Sequence, residues 1–182
     1  DSSCGYGSFL AKKNIAKRLV GADIDQKAIY EAKKIISDVD FICQNSLLNV
    51  CRQNLTIEND EKLIVLGNPP YNDTTSIIRN SIKDVSVQDK IDFDIKTRDL
   101  GMSFLLSYNK IQADFICILH PMSYLIKKAN FALLSKFTEN YKLIDGIIIS
   151  SHEFSNTSRG MAFPILVALY KKDQNGMTYD YI

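Results

Sequence analysis

Asn68-Pro69-Pro70-Tyr71 follows directly on the apolar run of residues 62–67, which reads as a buried strand. Two successive prolines fix φ twice and remove two backbone donors. Only acceptors then point outward: the Asn68 side-chain carbonyl and the Pro69 backbone carbonyl. Acceptors without donors suit a substrate that brings two N–H groups, such as an exocyclic amine. Tyr71 adds a flat face on which a ring can stack. A lone Pro-Pro after a strand is most often a rigid turn beside ordinary aromatic packing. The combination of Asn, two prolines and Tyr at this position is much more specific.

A second set of residues lies at the start of the chain, in the stretches DSSCGYGSFL and LVGADID. Gly5 and Gly7 allow close approach of backbone to a ligand at a turn that opens a helix. Asp23, at the end of the next strand, can accept two hydrogen bonds from ribose hydroxyls. A glycine turn followed about 20 residues later by an acid is the general layout of a nucleoside site. Taken alone it also reads as a plain strand-to-helix turn with a solvated acid. A nicotinamide-dinucleotide fingerprint would need a third glycine, and Phe9 and Leu10 occupy that region.

These residues need a scaffold. Hydrophobic spacing predicts strands at 19–24, 39–43, 62–66, 114–119, 143–149 and 161–170, and helices at 8–18, 26–36, 100–111 and 123–137. Polar connections fall at 49–60, 72–97 and 150–160, the second expected to be a mobile loop with at most a short helix. Strands alternate with helices over most of the length, which predicts an α/β fold with a mostly parallel sheet and helices on both faces. The last two strands, with no helix between them, suggest an antiparallel hairpin at one edge. Ligands in such sheets bind at the carboxyl ends of the strands, where the residues singled out above fall.

The chain has 182 residues and 46% hydrophobic content, enough for one domain with a sizeable core. With 22 basic and 21 acidic residues the net charge is +1, so no global field advertises a polyanion partner. The four cysteines, Cys4, Cys43, Cys51 and Cys117, lie far apart and lack metal-ligand spacing. They are expected to be reduced thiols of a cytoplasmic protein, with no metal site and no membrane partner. Lys12, Lys13, Lys17 and Arg18 read as a solvated helix face, His120 as a strand terminator, and His152 and Arg159 as residues of a polar loop.

Together the stretches resemble the amino-methyltransferases of bacterial restriction–modification systems, S-adenosylmethionine-dependent enzymes that methylate adenine N6 in DNA. DSSCGYGSFL is similar to their cofactor motif and GADID to the acidic end of their second strand. NPPY resembles their catalytic motif. ADFICILHPMSYL and SHEFSN…MAFPILVALYKK resemble their later strand-Pro segment and hairpin. The order, cofactor motif before catalytic motif, is that of the γ group. The resemblance implies a Rossmann-like class I methyltransferase sheet and S-adenosylmethionine as cofactor. It assigns Asp1, Cys4, Gly5 and Gly7 to the methionine side of that cofactor, Asp23 to its ribose, and Ile24 and Asn45 to its adenine. Asn68, Pro69, Pro70 and Tyr71 would hold a flipped target adenine, with Phe154 as the opposite wall and Phe163 the alternative.

The resemblance also implies a central strand before Asp1 and a target-recognition domain beyond residue 182. Residues 1–182 would then be a catalytic-domain fragment acting with a fused or separate recognition domain and nuclease. Ser2 stands where the family commonly has Pro. Tyr6 stands where it has a small residue, and is expected to crowd the cofactor. Competing readings are methylation of a protein glutamine or an RNA base, a non-catalytic methyltransferase-like module, and a nucleotide-dependent oxidoreductase. The last is disfavoured by the Asn-Pro-Pro-Tyr turn and the missing third glycine.

Overall fold

A computed structural model of the chain describes residues 1–11, 16–71, 90–154 and 162–182. In chain order its elements are β1 (Val20–Asp23), α1 (Gln26–Ile35), β2 (Asp40–Cys43), β3 (Ile64–Gly67), α2 (Leu100–Lys110), β4 (Phe115–Pro121), α3 (Ser123–Ile126), α4 (Lys128–Leu133), α5 (Ser135–Thr138), β5 (Tyr141–Ser150) and β6 (Pro164–Lys172). The α/β class and the late antiparallel hairpin are those expected from the sequence.

The strands form two sheets. β1 and β2 pair in parallel, and β3, β4, β6 and β5 form a four-stranded sheet in that order. β3 and β4 are parallel, whereas β6 runs antiparallel to both β4 and β5. A groove of about 1010 Å³ separates β1 from β3 and is lined by Leu19, Val20, Ile64 and Leu66 among others. Asp1 bridges one end of this groove to β1. Its amino group donates to the Val20 carbonyl at 2.9 Å, and the Ala22 N–H donates to the Asp1 carbonyl at 2.8 Å. That alternation is a parallel ladder, so Asp1 lies as a strand end between β1 and β3.

Local sequence explains most boundaries. α1 begins at Asp25, whose carboxylate accepts from the backbone N–H groups of Lys27 and Ala28, and it buries Ala28, Ile29 and Ala32. α2 begins at Asp99 in the same way and is buried over nearly its whole length, beneath the larger sheet's core. The expected single helix over 123–137 is three short helices instead. Lys127 adopts an extended conformation, and the Asn130 side-chain amide donates to the Ser123 carbonyl across the break. The expected helix over 8–18 is only a turn opening at Gly7 in its described part, where the N–H groups of Leu10 and Ala11 both donate to the Gly7 carbonyl. Residues 12–15 lie outside the described residues, as do 72–89 of the expected loop and 155–161, which include Arg159.

Arg18 is not merely solvated. It ion-pairs with Asp40 and Glu61 and donates to the Thr56 carbonyl and hydroxyl, tying the β2 side of the groove to the segment leading into β3. No helix among the described residues is long and apolar enough to cross a membrane.

Candidate functional site

The carboxyl ends of β1 and β3 meet through Asp1. A side chain built at Gly67 would lie 3.1 Å from Asp1 Oδ1, so Asp1 packs closely against the bare backbone of residue 67. Gly67 immediately precedes Asn68. The two half-sites, separate in sequence, therefore share a boundary.

On the β1 side the chain turns tightly. The Cys4 N–H donates to the Ala22 carbonyl, the Gly7 N–H donates to the Cys4 carbonyl at 2.7 Å, and the Gly5 N–H donates to Asp23 Oδ2 at 2.7 Å. Gly5 and Gly7 have φ of +51° and +80°, left-handed values that favour glycine. Their surroundings differ. A methyl at Gly7 would meet Ile36 at 2.7 Å, so Gly7 serves packing, whereas a methyl at Gly5 would meet nothing within 4 Å. Gly5 thus borders open space, whereas the side of Gly7 on which a Cβ would sit faces the core.

Asp23 spends part of its capacity internally, accepting from Gly5 N and Asp25 N. A carboxylate has about four acceptor sites, so two remain for a ligand. Ile24, beside it, is 58% exposed. Cys4 is buried, and burial, followed by the Asp23 charge, pushes its thiol up to about 11, so it is neutral near pH 7. Ser3 Oγ is buried without a hydrogen-bond partner among the described residues. Tyr6, between the two glycines, is 62% exposed. Asn45 is more committed than its sequence position suggests. Its carbonyl accepts from Leu47 N–H and its amide donates to the Lys90 carbonyl, leaving one lone pair and one N–H.

On the β3 side, Asn68 is half-buried, Pro69 buried and Pro70 exposed. Asn68 Oδ1 is buried and has no donor among the described residues. Tyr71 is half-buried, and burial raises its hydroxyl pKa. The turn thus holds a buried acceptor without a donor among the described residues, three residues before a half-buried tyrosine. Phe154 is half-buried at the end of the short 3-10 helix Ser151–Phe154, in the connection between β5 and β6. Phe163 is 39% exposed, and its backbone is fixed by hydrogen bonds with Ser151 in both directions.

Several contacts around the Asn68–Tyr71 turn and the chain start escape sequence reasoning. Ser2 Oγ donates to the Tyr108 hydroxyl, seating the start of the chain on α2. The Tyr124 hydroxyl donates to Asp99 Oδ1, and both lie against Gly101 and Tyr71. Asp99 carries a readable signal, an acid directly before an apolar helical run. Tyr124 carries none, because its partner is 25 residues away. His120 lies at the end of β4, which stops at Pro121 as expected from the sequence, and it is fully buried there.

No family model matches the chain, and no curated protein matches it significantly in sequence. Solved structures do match in shape. A candidate RNA methyltransferase from Pyrococcus horikoshii is 14% identical with a TM-score of 0.55, over 93% of this chain and 72% of that one. A protein from Thermoplasma acidophilum is 15% identical with a TM-score of 0.52, over 93% of this chain and 76% of that one. A candidate DNA-modification methyltransferase encoded within an E. coli prophage is 16% identical with a TM-score of 0.52. That match covers 94% of this chain but 44% of its counterpart. Taken with the observed topology, these likenesses make the fold of this chain Rossmann-like, of the kind found in methyltransferases.

Proposed function

We propose that this chain is an S-adenosylmethionine-dependent methyltransferase that methylates the exocyclic N6 of an adenine flipped out of DNA. The observation that carries the reading is the buried Asn68 Oδ1 at the mouth of a strand, which has no donor among the described residues. A buried acceptor without a partner costs about 1–3 kcal/mol. A substrate amine that donates to it would recover that cost.

The residues at the end of β1 fit the cofactor. Open space faces Gly5, Ser3 Oγ lies buried without a partner among the described residues, and Asp23 keeps acceptor capacity beside the exposed Ile24. Asp1, Cys4 and Gly5 would border its methionine side, Asp23 its ribose, and Ile24 with the remaining capacity of Asn45 its adenine. When bound, S-adenosylmethionine supplies an electrophilic methyl on a sulfonium.

An adenine amine is a weak nucleophile because its lone pair is delocalised into the ring. Asn68 Oδ1 and the Pro69 carbonyl would accept its two hydrogens. Held so, the nitrogen can move toward tetrahedral geometry with its lone pair free. Pro69 and Pro70 keep the two acceptors in place without offering competing donors. Tyr71 would stack on the base, and Phe154 would close the other side. Catalysis of this kind is positioning and electrostatics, with no covalent nucleophile.

The test combines labelled S-adenosylmethionine with unmethylated DNA and, separately, RNA, followed by nucleoside analysis. N6-methyladenine in DNA is the expected product. Asn68→Ala should lower turnover at least about 10²-fold, as loss of one preorganised transition-state hydrogen bond does. Cofactor affinity by calorimetry should be unchanged. Full turnover in Asn68→Ala would sink the clamp, and label confined to RNA would overturn the DNA assignment.

A further inference from the structure

The segment from Gly67 to Tyr71 is packed at both ends. At the first, Gly67 lies against Asp1. At the second, Tyr71 lies against Gly101, near the start of α2. Three groups fill the space where a side chain at Gly101 would be: the Tyr124 hydroxyl at 2.5 Å, Tyr71 Cβ at 3.0 Å and Asp99 Oδ1 at 3.3 Å. These groups are themselves fixed. Asp99 Oδ1 accepts from the Tyr124 hydroxyl and from Gly101 N–H at 2.9 Å. Tyr124 is 1% exposed and stacks on buried His120 at 5.3 Å between centroids, with planes 4° apart. Between the two packed ends lie two residues whose φ is locked. Little freedom is left in the turn except at Tyr71, and that is where the second contact acts.

We propose that Asp99 and Tyr124, closing over Gly101, form a seat for Tyr71 and are positioning residues for the Asn68–Pro69 acceptors. The catalytic part of this inference rests on reading those acceptors as the clamp; the seat itself does not. Gly101 is small because the seat leaves no room for a methyl. Tyr124 sets the depth of the seat through its hydroxyl, and Asp99 holds that hydroxyl while capping α2.

The chain contains no tryptophan, so Tyr71→Trp provides a unique fluorophore at the seat. Adding Tyr124→Phe removes one oxygen and keeps the stack on His120. Adding Gly101→Ala inserts a methyl where three groups already converge. Each should shift the indole emission to the red and lower its anisotropy, and Asp99→Asn, which keeps an acceptor and a cap, should do so least. In the otherwise native protein, Tyr124→Phe should lower kcat for methyl transfer by about 10- to 100-fold, the loss expected for slight misplacement of reacting groups. KM for DNA and calorimetric affinity for S-adenosylmethionine should hold. Unchanged emission and anisotropy in both double variants would overturn the seat. A rise in KM with kcat intact would overturn the positioning role. An indole signal that moves in a protein without methyl transfer would support the seat and count instead against the clamp reading.

Discussion

Lowering the pH should destabilise this fold through His120. Its Nδ1 lies 2.9 Å from the Pro121 carbonyl oxygen and its Nε2 2.7 Å from the Tyr170 hydroxyl. A carbonyl can only accept, so Nδ1 carries the proton and Nε2 accepts from Tyr170. The ring is neutral, fully buried, and stacked between Tyr124 and Tyr170. Burial pushes its pKa down from 6.5 to about 4, against a smaller opposing effect of the Pro121 hydrogen bond. The folded value lies below the unfolded one. Between pH 6.5 and 4 the unfolded chain therefore binds a proton that the folded chain refuses. Stability from this group is complete above about pH 6.5, falls through that window, and is constant below it. At about 1.4 kcal/mol per pH unit the window corresponds to about 3 kcal/mol. Other groups titrate in the same range, so the informative quantity is a difference. Urea unfolding of the native chain and of His120→Gln, whose amide can still accept from Tyr170, would be followed from about pH 7.5 to about pH 4.5. Relative to the variant, the native chain should lose about 2–3 kcal/mol on acidification. A difference that stays constant with pH would refute the buried neutral imidazole.

Two substitutions test how the scaffold is held. Gly7→Ala should cost about 2–4 kcal/mol in urea unfolding, combining a left-handed φ with a methyl driven into Ile36 and Phe41; Gly5→Ala, facing open space, should cost only about 1–2 kcal/mol. Equal costs would contradict the packing role of Gly7. Arg52→Lys should lower stability by at least about 2 kcal/mol, because the guanidinium donates to the carbonyls of Ile111, Glu58, Asn59, Glu61 and Gln112, and an ammonium cannot span them. An unchanged melting temperature in that variant would show these bonds to be replaceable by water.

Much of the local structure was legible because local rules set it. Period-two and period-3.6 apolar spacing located β1 to β6, α1 and α2 to within a few residues. The Asn68-Pro69-Pro70-Tyr71 turn was readable because proline acts through its own ring, whatever surrounds it. Asp25 and Asp99 cap helices by contacts two or three residues away. The segment 123–137 was not legible, because a competing bond from Asn130 to the Ser123 carbonyl breaks a pattern that is helical by spacing alone.

What the sequence determined by itself is thus the inventory: which residues are acceptors, which are turns, and which runs form strands and helices. Tertiary structure decided their use. Gly5 and Gly7 look alike in sequence, yet one borders open space and the other a packed core. Asn45 reads from sequence as wholly free for a ligand, yet Leu47 and Lys90 engage half of its amide's hydrogen-bonding capacity. Asp1 and Gly67 are 66 positions apart in the chain and touch, as do Tyr71, Gly101 and Tyr124. The physical reason is range. Capping, proline geometry and amphipathic spacing act within one turn of chain. Contact between distant segments depends on how the sheets and helices pack, and no short stretch of sequence encodes it.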